Sequence, residues 1–134
     1  LNPLADNLII AKDYLGNAYL PQWEFNGIGT IQMGHGYYVK TNTATTLTLF
    51  GDYIEPAENP INIINGWSVI GYLRTEPYPL DTVFEPLVEL GFIIIIKDNM
   101  GAAYLPDWGF NGIGDMHPGH GYQIKTNGNC ILQY

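Results

Sequence analysis

The sequence predicts a mainly β protein built of small bent-sheet or barrel modules in tandem, with one short helix in each complete module. Three observations carry that expectation. Short apolar runs alternate with polar residues, as in GYQIKT; glycine and Asx residues punctuate them as turns; and one long segment is written twice. Laid without gaps on Ile93–Gly128, the stretch Leu8–Thr43 is identical at 22 of 36 positions. The matches include Lys12-Asp13 with Lys97-Asp98, Tyr19-Leu20-Pro21 with Tyr104-Leu105-Pro106, and Trp23 with Trp108. Phe25-Asn26-Gly27-Ile28-Gly29 pairs with Phe110-Asn111-Gly112-Ile113-Gly114, and Gly34-His35-Gly36-Tyr37 with Gly119-His120-Gly121-Tyr122.

Taken in chain order, the first copy supplies an apolar strand ending at Lys12, a hairpin turn in DYLGN and a closing strand in YYVKT. Gly16, and Gly101 in the matching DNMG turn, stand where a positive φ is needed. TLTLFG from Thr46 reads as a last short strand. GDYIEPAENPINIING holds two prolines and no helical period, so residues 51–65 read as an extended linker between an incomplete module, 1–50, and a complete one, 66–134. The complete module opens with a strand, Trp67–Leu73. Here Trp67, Val69 and Gly71 share one face and Ile70 and Tyr72 the other, and Trp67 is expected in the core. Leu80–Leu90 is the helix: Asp81 is placed to cap it, Val83, Phe84, Leu87 and Leu90 recur at helical spacing, and Pro86 limits or kinks it. Strands follow at Phe92–Lys97, His120–Thr126 and Cys130–Tyr134.

Composition narrows the function. The chain has 134 residues, of which 46% are hydrophobic and only 13% charged, with five Lys and Arg and a formal net charge of −8. A nucleic-acid or anionic-membrane partner needs a basic patch, and the few cations are scattered. The longest apolar run, Phe92–Ile96, is far short of a membrane span. The single cysteine, Cys130, can form no internal disulfide and reads as a small buried hydrophobe in a strand.

Candidate chemistry is sparse. The glycines of FNGIGDMHPGHGY are followed by a strand, whereas a phosphate cradle opens a helix. His117 and His120 stand three apart, but Gln32 replaces the first of them in the other copy, and zinc needs three or four ligands. Asp13 and Asp98 occupy turns that offer one carboxylate each, against the six to eight oxygens of calcium, and read as Asx turns. Ser68, the only serine, lies mid-strand with no His–Asp arrangement around it. No catalytic residue, metal ligand or cofactor is therefore assigned. The aromatics Tyr19, Trp23 and Phe25, with Tyr104, Trp108 and Phe110, have two readings. Core packing is the expected one, with Trp23 and Phe25 on one strand face; a platform for sugar rings is the alternative.

The combination of GWSVIGY, KDNMGAAYLP and PGHGYQIK resembles tandem repeats in large secreted or cell-surface proteins of Bacteroidota, whose pattern runs GWN-IGY, KDxxGNxYxP, PGxGYQIK. Ser68 stands where that pattern has Asn, and Met33 where the second copy has Pro118. The resemblance implies a secreted, multi-module surface or filament protein with no catalytic residues to transfer. The expected function is non-enzymatic, structural or adhesive, with neighbouring modules or subunits as partners. Glycan binding through the repeated hairpin is the alternative.

The first copy lacks a GWSVIGY strand and a helix, although LNPLAD resembles the tail of the helical PLVEL segment. A module missing a strand exposes unpaired backbone, so this one is expected to be completed from outside. The alternative is that Leu1 is simply where the sequence begins.

Overall fold

The computed structural model describes residue 4 and residues 6–48 and 52–134. The protein is mainly β; the described residues form thirteen short strands in antiparallel sheets and one α-helix. Among the described residues no sheet closes into a barrel; the strands form several small open antiparallel sheets. No described helix is long and apolar enough to cross a membrane.

The two copies build the same ladder. In the first, β1 (Leu8–Lys12), β2 (Ala18–Leu20), β3 (Phe25–Asn26) and β4 (Tyr38–Thr41) form a sheet in the order β3-β2-β1-β4. In the second, β8 (Ile93–Lys97), β9 (Ala103–Leu105), β10 (Phe110–Asn111) and β12 (Gly121–Thr126) repeat it as β10-β9-β8-β12. There a fifth strand, β6 (Gly66–Gly71), continues the sheet, pairing with β12 from Gly71↔Gly121 to Gly66↔Thr126.

The segment before the second ladder does more. β5 (Ile61–Ile63), within the stretch read as linker, pairs with β13 (Cys130–Leu132), so this part of the linker belongs to the folded unit. β7 (Tyr78–Pro79) pairs with β11 (Asp115–Met116), and the helix α1 (Leu80–Glu89) follows it directly. Leu80, Val83, Phe84 and Leu87 of α1 meet Ile70, Tyr72, Ile93, Ile96, Tyr122 and Ile124 of the sheet in one apolar core. Helical spacing put Val83, Phe84 and Leu87 on one face, and Leu80, at the start of the helix, joins them. Leu90, expected on that face, is exposed because the helix ends at Glu89 and Gly91 turns the chain away at φ +79°. Asp81 lies in the first turn and makes no cap; Pro79 occupies that place. Pro86 is accommodated inside the helix.

Repeated polar residues serve their own loops. The Asp13 carboxylate accepts the backbone N–H groups of Leu15 and Asn17, each at 2.9 Å, and the Asn17 amide at 2.8 Å. Asp98 accepts those of Met100 and Ala102, again at 2.9 Å. Burial pushes the Asp13 carboxyl upward, but the bonds from Asn17, Leu15 and Gly16 outweigh it and hold the group below its ordinary 3.8. Asn26 and Asn111 accept the N–H of Gly29 and Gly114, both at 2.9 Å. The hydroxyls of Tyr37 and Tyr122 accept the N–H of Gln32 at 2.8 Å and of His117 at 2.9 Å. Asx turns and tyrosine ties account for these residues.

Two further sequence expectations need correction. The alternation in β6 does not divide core from solvent as read: Ser68, Ile70 and Tyr72 face the core, Val69 on the other face is buried too, and Trp67 is 44% exposed. Trp67 lies between two cations, Lys97 Nζ at 5.4 Å and Lys125 Nζ at 5.8 Å from a ring centroid. The strand expected from Thr46 is absent over Thr46–Thr48, and its remainder lies outside the described residues. The likeness of LNPLAD to the helix tail also falls largely outside them, although Leu4 is buried. Cys130 is buried in β13, and burial raises its thiol pKa.

The copies touch where the GHG of the first meets β6. Gly36 N–H donates to Val69 O and Gly71 N–H to Gly34 O, both at 2.9 Å. This contact continues the register for a single bridge, His35↔Ile70.

Candidate functional site

The residues that remain without a fold role lie at the tip of one repeated hairpin. β2 ends at Leu20, and Pro21–Trp23 turns as one 3₁₀ unit, proline standing at its start where φ is already suitable. Glu24 then takes the left-handed conformation, φ 51°, and returns its N–H to Pro21 O at 3.2 Å. β3 resumes with Phe25 paired to Leu20 and Asn26 to Tyr19. The second copy repeats each step: Pro106–Trp108, then Gly109 at φ 59° bonding Pro106 O, then Phe110 paired to Leu105 and Asn111 to Tyr104.

This geometry separates the aromatics. Trp23 and Phe25 do not share a strand face, because the left-handed residue between them breaks the extended chain. The turn carries the tryptophans outward, leaving Trp23 78% and Trp108 82% exposed. Phe25 and Phe110 are each 53% exposed, with one ring edge against a glycine: a Cβ on Gly27 or Gly112 would lie 3.1 Å from the Phe ring. Tyr104 turns the other way into the core, and its partner Tyr19 is half-buried. Of the six residues picked from the sequence, the structure brings Trp23 with Phe25 and Trp108 with Phe110 to the surface as two like pairs. It withdraws the tyrosines.

Core packing, the expected role, therefore fails for both tryptophans. The missed signal was the residue between Trp and Phe. Glycine stands there in one copy, at Gly109, and marks a positive φ that a continuous strand would not need. A bare indole of this kind offers a flat apolar face and one N–H donor, suited to stacking on a sugar ring or to anchoring against another protein.

The three histidines stay exposed in their turns. His117 and His120 stand with ring centroids 5.7 Å apart, and His35 lies 5.8 Å from the Tyr14 ring. Among the described residues no three His, Cys, Asp or Glu side chains converge on a common point. Ser68 is buried on the core face, and its hydroxyl has no bonding partner.

Comparison with protein-family models, with curated proteins and with solved structures found no match to this chain.

Proposed function

We propose that this chain is a non-enzymatic, structural or adhesive repeat segment of a secreted, multi-module surface or filament protein. The observation that carries the reading is the division of labour within the duplicated segment. Its polar side chains close their own turns, its glycines and aliphatics build the ladder, and its tryptophans are presented at equivalent tips. Direct backbone bonding between the first GHG and β6 supports neighbouring repeat units as partners, and the low charge fraction suits an extracellular β protein. Small-angle scattering on two and three chains joined end to end tests it. The expected result is a maximum dimension that grows by the same increment with each copy. A compact particle that merely swells with added mass sinks the reading.

A second reading, glycan binding, is favoured by the exposure of Trp23 and Trp108. Each indole presents a flat apolar face with an N–H donor at its edge, the chemistry that stacks on a sugar ring. On a glycan array, retained ligands should weaken with Trp23→Ala or Trp108→Ala and vanish with both, the melting temperature staying unchanged. An array without signal, or one indifferent to the double variant, removes this reading.

A further inference from the structure

The two copies share a ladder, yet equivalent residues of it meet opposite surroundings. Ile124 of β12 is fully buried, while its counterpart Val39 in β4 is 47% exposed; Met116 is fully buried, while Ile31 is 51% exposed. Tyr122 is buried and its counterpart Tyr37 half-buried. What differs is the segment Ile61–Glu89. In the second copy β6 pairs with β12, β7 with β11, β5 with β13, and α1 covers the sheet face. In the first copy each receiving position is present in sequence and lacks that partner among the described residues. Thr30-Ile31, matching β11, forms no strand; Thr45–Leu47, matching β13, forms none; and β4 pairs on one side only.

The open side of β4 is fixed by hydrogen-bond parity. Asn42 N–H donates to Asn7 O at 2.9 Å, so even-numbered residues of this strand turn their backbone groups toward β1. Val39 and Thr41 turn theirs outward. In the second copy the equivalent groups turn to β6, as the Tyr72 N–H to His120 O bond shows. Gly34 and Gly36, before the strand begins, bond β6, and among the described residues no backbone bond reaches the outward groups of Val39 and Thr41. That edge borders a cleft of about 490 Å³ whose far wall is Asp98, Asn99, His120 and Gln123 of the second copy.

We infer that the first copy is an acceptor for a strand–helix segment of the Ile61–Glu89 kind, supplied in cis by a further repeat unit. The occupant adds a β6-like strand to Val39 and Thr41, β7- and β5-like strands to Ile31 and Leu47, and an α1-like helix over Tyr37 and Val39. The second copy shows that such a segment fits this ladder, and its running directly into β8 puts the equivalent segment directly before β1. Strand addition satisfies backbone groups that otherwise face water, and the helix covers the apolar face. The inference rests on the repeat-segment reading for the source of the occupant.

The test is a chain carrying an added copy of residues 59–85 immediately before Leu1, beside one carrying the same residues scrambled. Backbone hydrogen exchange is read at Val39 and Thr41, with Ile124 and Thr126 reporting that the complete unit is folded in both. The ordered segment should slow exchange at Val39 and Thr41 by about a hundredfold or more, toward the rates of Ile124 and Thr126. Unchanged exchange, or equal protection from the scrambled segment, overturns the inference. Either of those results leaves the scattering and array tests of the function standing on their own.

Discussion

Trp67 shows what period-two alternation does and does not contain. It says correctly that Trp67, Val69 and Gly71 share a face and that Ser68, Ile70 and Tyr72 share the other. It does not say which face meets the core. Choosing the tryptophan side treats size as burial, whereas the helix packs on the side of Ile70 and Tyr72. Trp67 lies instead on the outer face, its ring flanked by Lys97 and Lys125. Exposed cation–π contacts of this type contribute about 0.5–1 kcal/mol. With two such contacts, Trp67→Ala should therefore cost about 1–2 kcal/mol, against about 3–5 kcal/mol for a buried tryptophan. In a thermal melt that is a drop of a few degrees, and a fall beyond about ten degrees would show the ring to be part of the core. The same face choice explains Ser68, whose unbonded hydroxyl occupies a core position that the alternation assigned without regard to polarity.

At the scale of elements, those that carry their own signal were legible. The two Asx hairpins, the strands β1, β4, β6, β8 and β12, and Val83, Phe84 and Leu87 of α1 each follow from local chemistry: a positive-φ glycine, a carboxylate two residues before an N–H, a period of two or of 3.6. The unread strands are those defined by a distant partner. β5, β7 and β11 are two or three residues long, too short for a period, and exist because β13, β11 and β7 lie opposite them. At the equivalent positions of the first copy, Thr30-Ile31 and Thr45–Leu47 differ in sequence, have no such partner among the described residues, and are not strands. The candidate site was half legible. Duplication pointed to the hairpin, but the outward turn of its tryptophans depends on the Pro-x-Trp 3₁₀ unit and the left-handed residue after it, and aromatic content alone favoured the core.

Across the whole molecule the two copies are held together by glycine backbone. A Cβ built on Gly36 would stand 2.5 Å from Val69 Cγ1 and 2.7 Å from Ile70 O; on Gly121, the same position in the other copy, it would find Ile70 O at 3.5 Å and Gly36 Cα at 3.6 Å. Gly36→Ala should thus cost about 1–3 kcal/mol and speed exchange of the Gly71 amide, while Gly121→Ala stays within about 0.5–1 kcal/mol. Paired melts and exchange rates check this, and equal losses from the two variants would contradict it. Duplication has a further consequence, for the order in which the chain folds. β6 lies nearer in sequence to β4 than to β12, and β4 offers it the same kind of edge. Loop closure entropy is lower for the nearer edge, so early in folding the entropic bias runs toward the wrong copy. The native pairing is favoured by α1, β7–β11 and β5–β13, contacts that β4 does not offer among the described residues. Filling the β4 edge beforehand would remove the competitor, so an already completed first copy acts as a guide for the folding of the second.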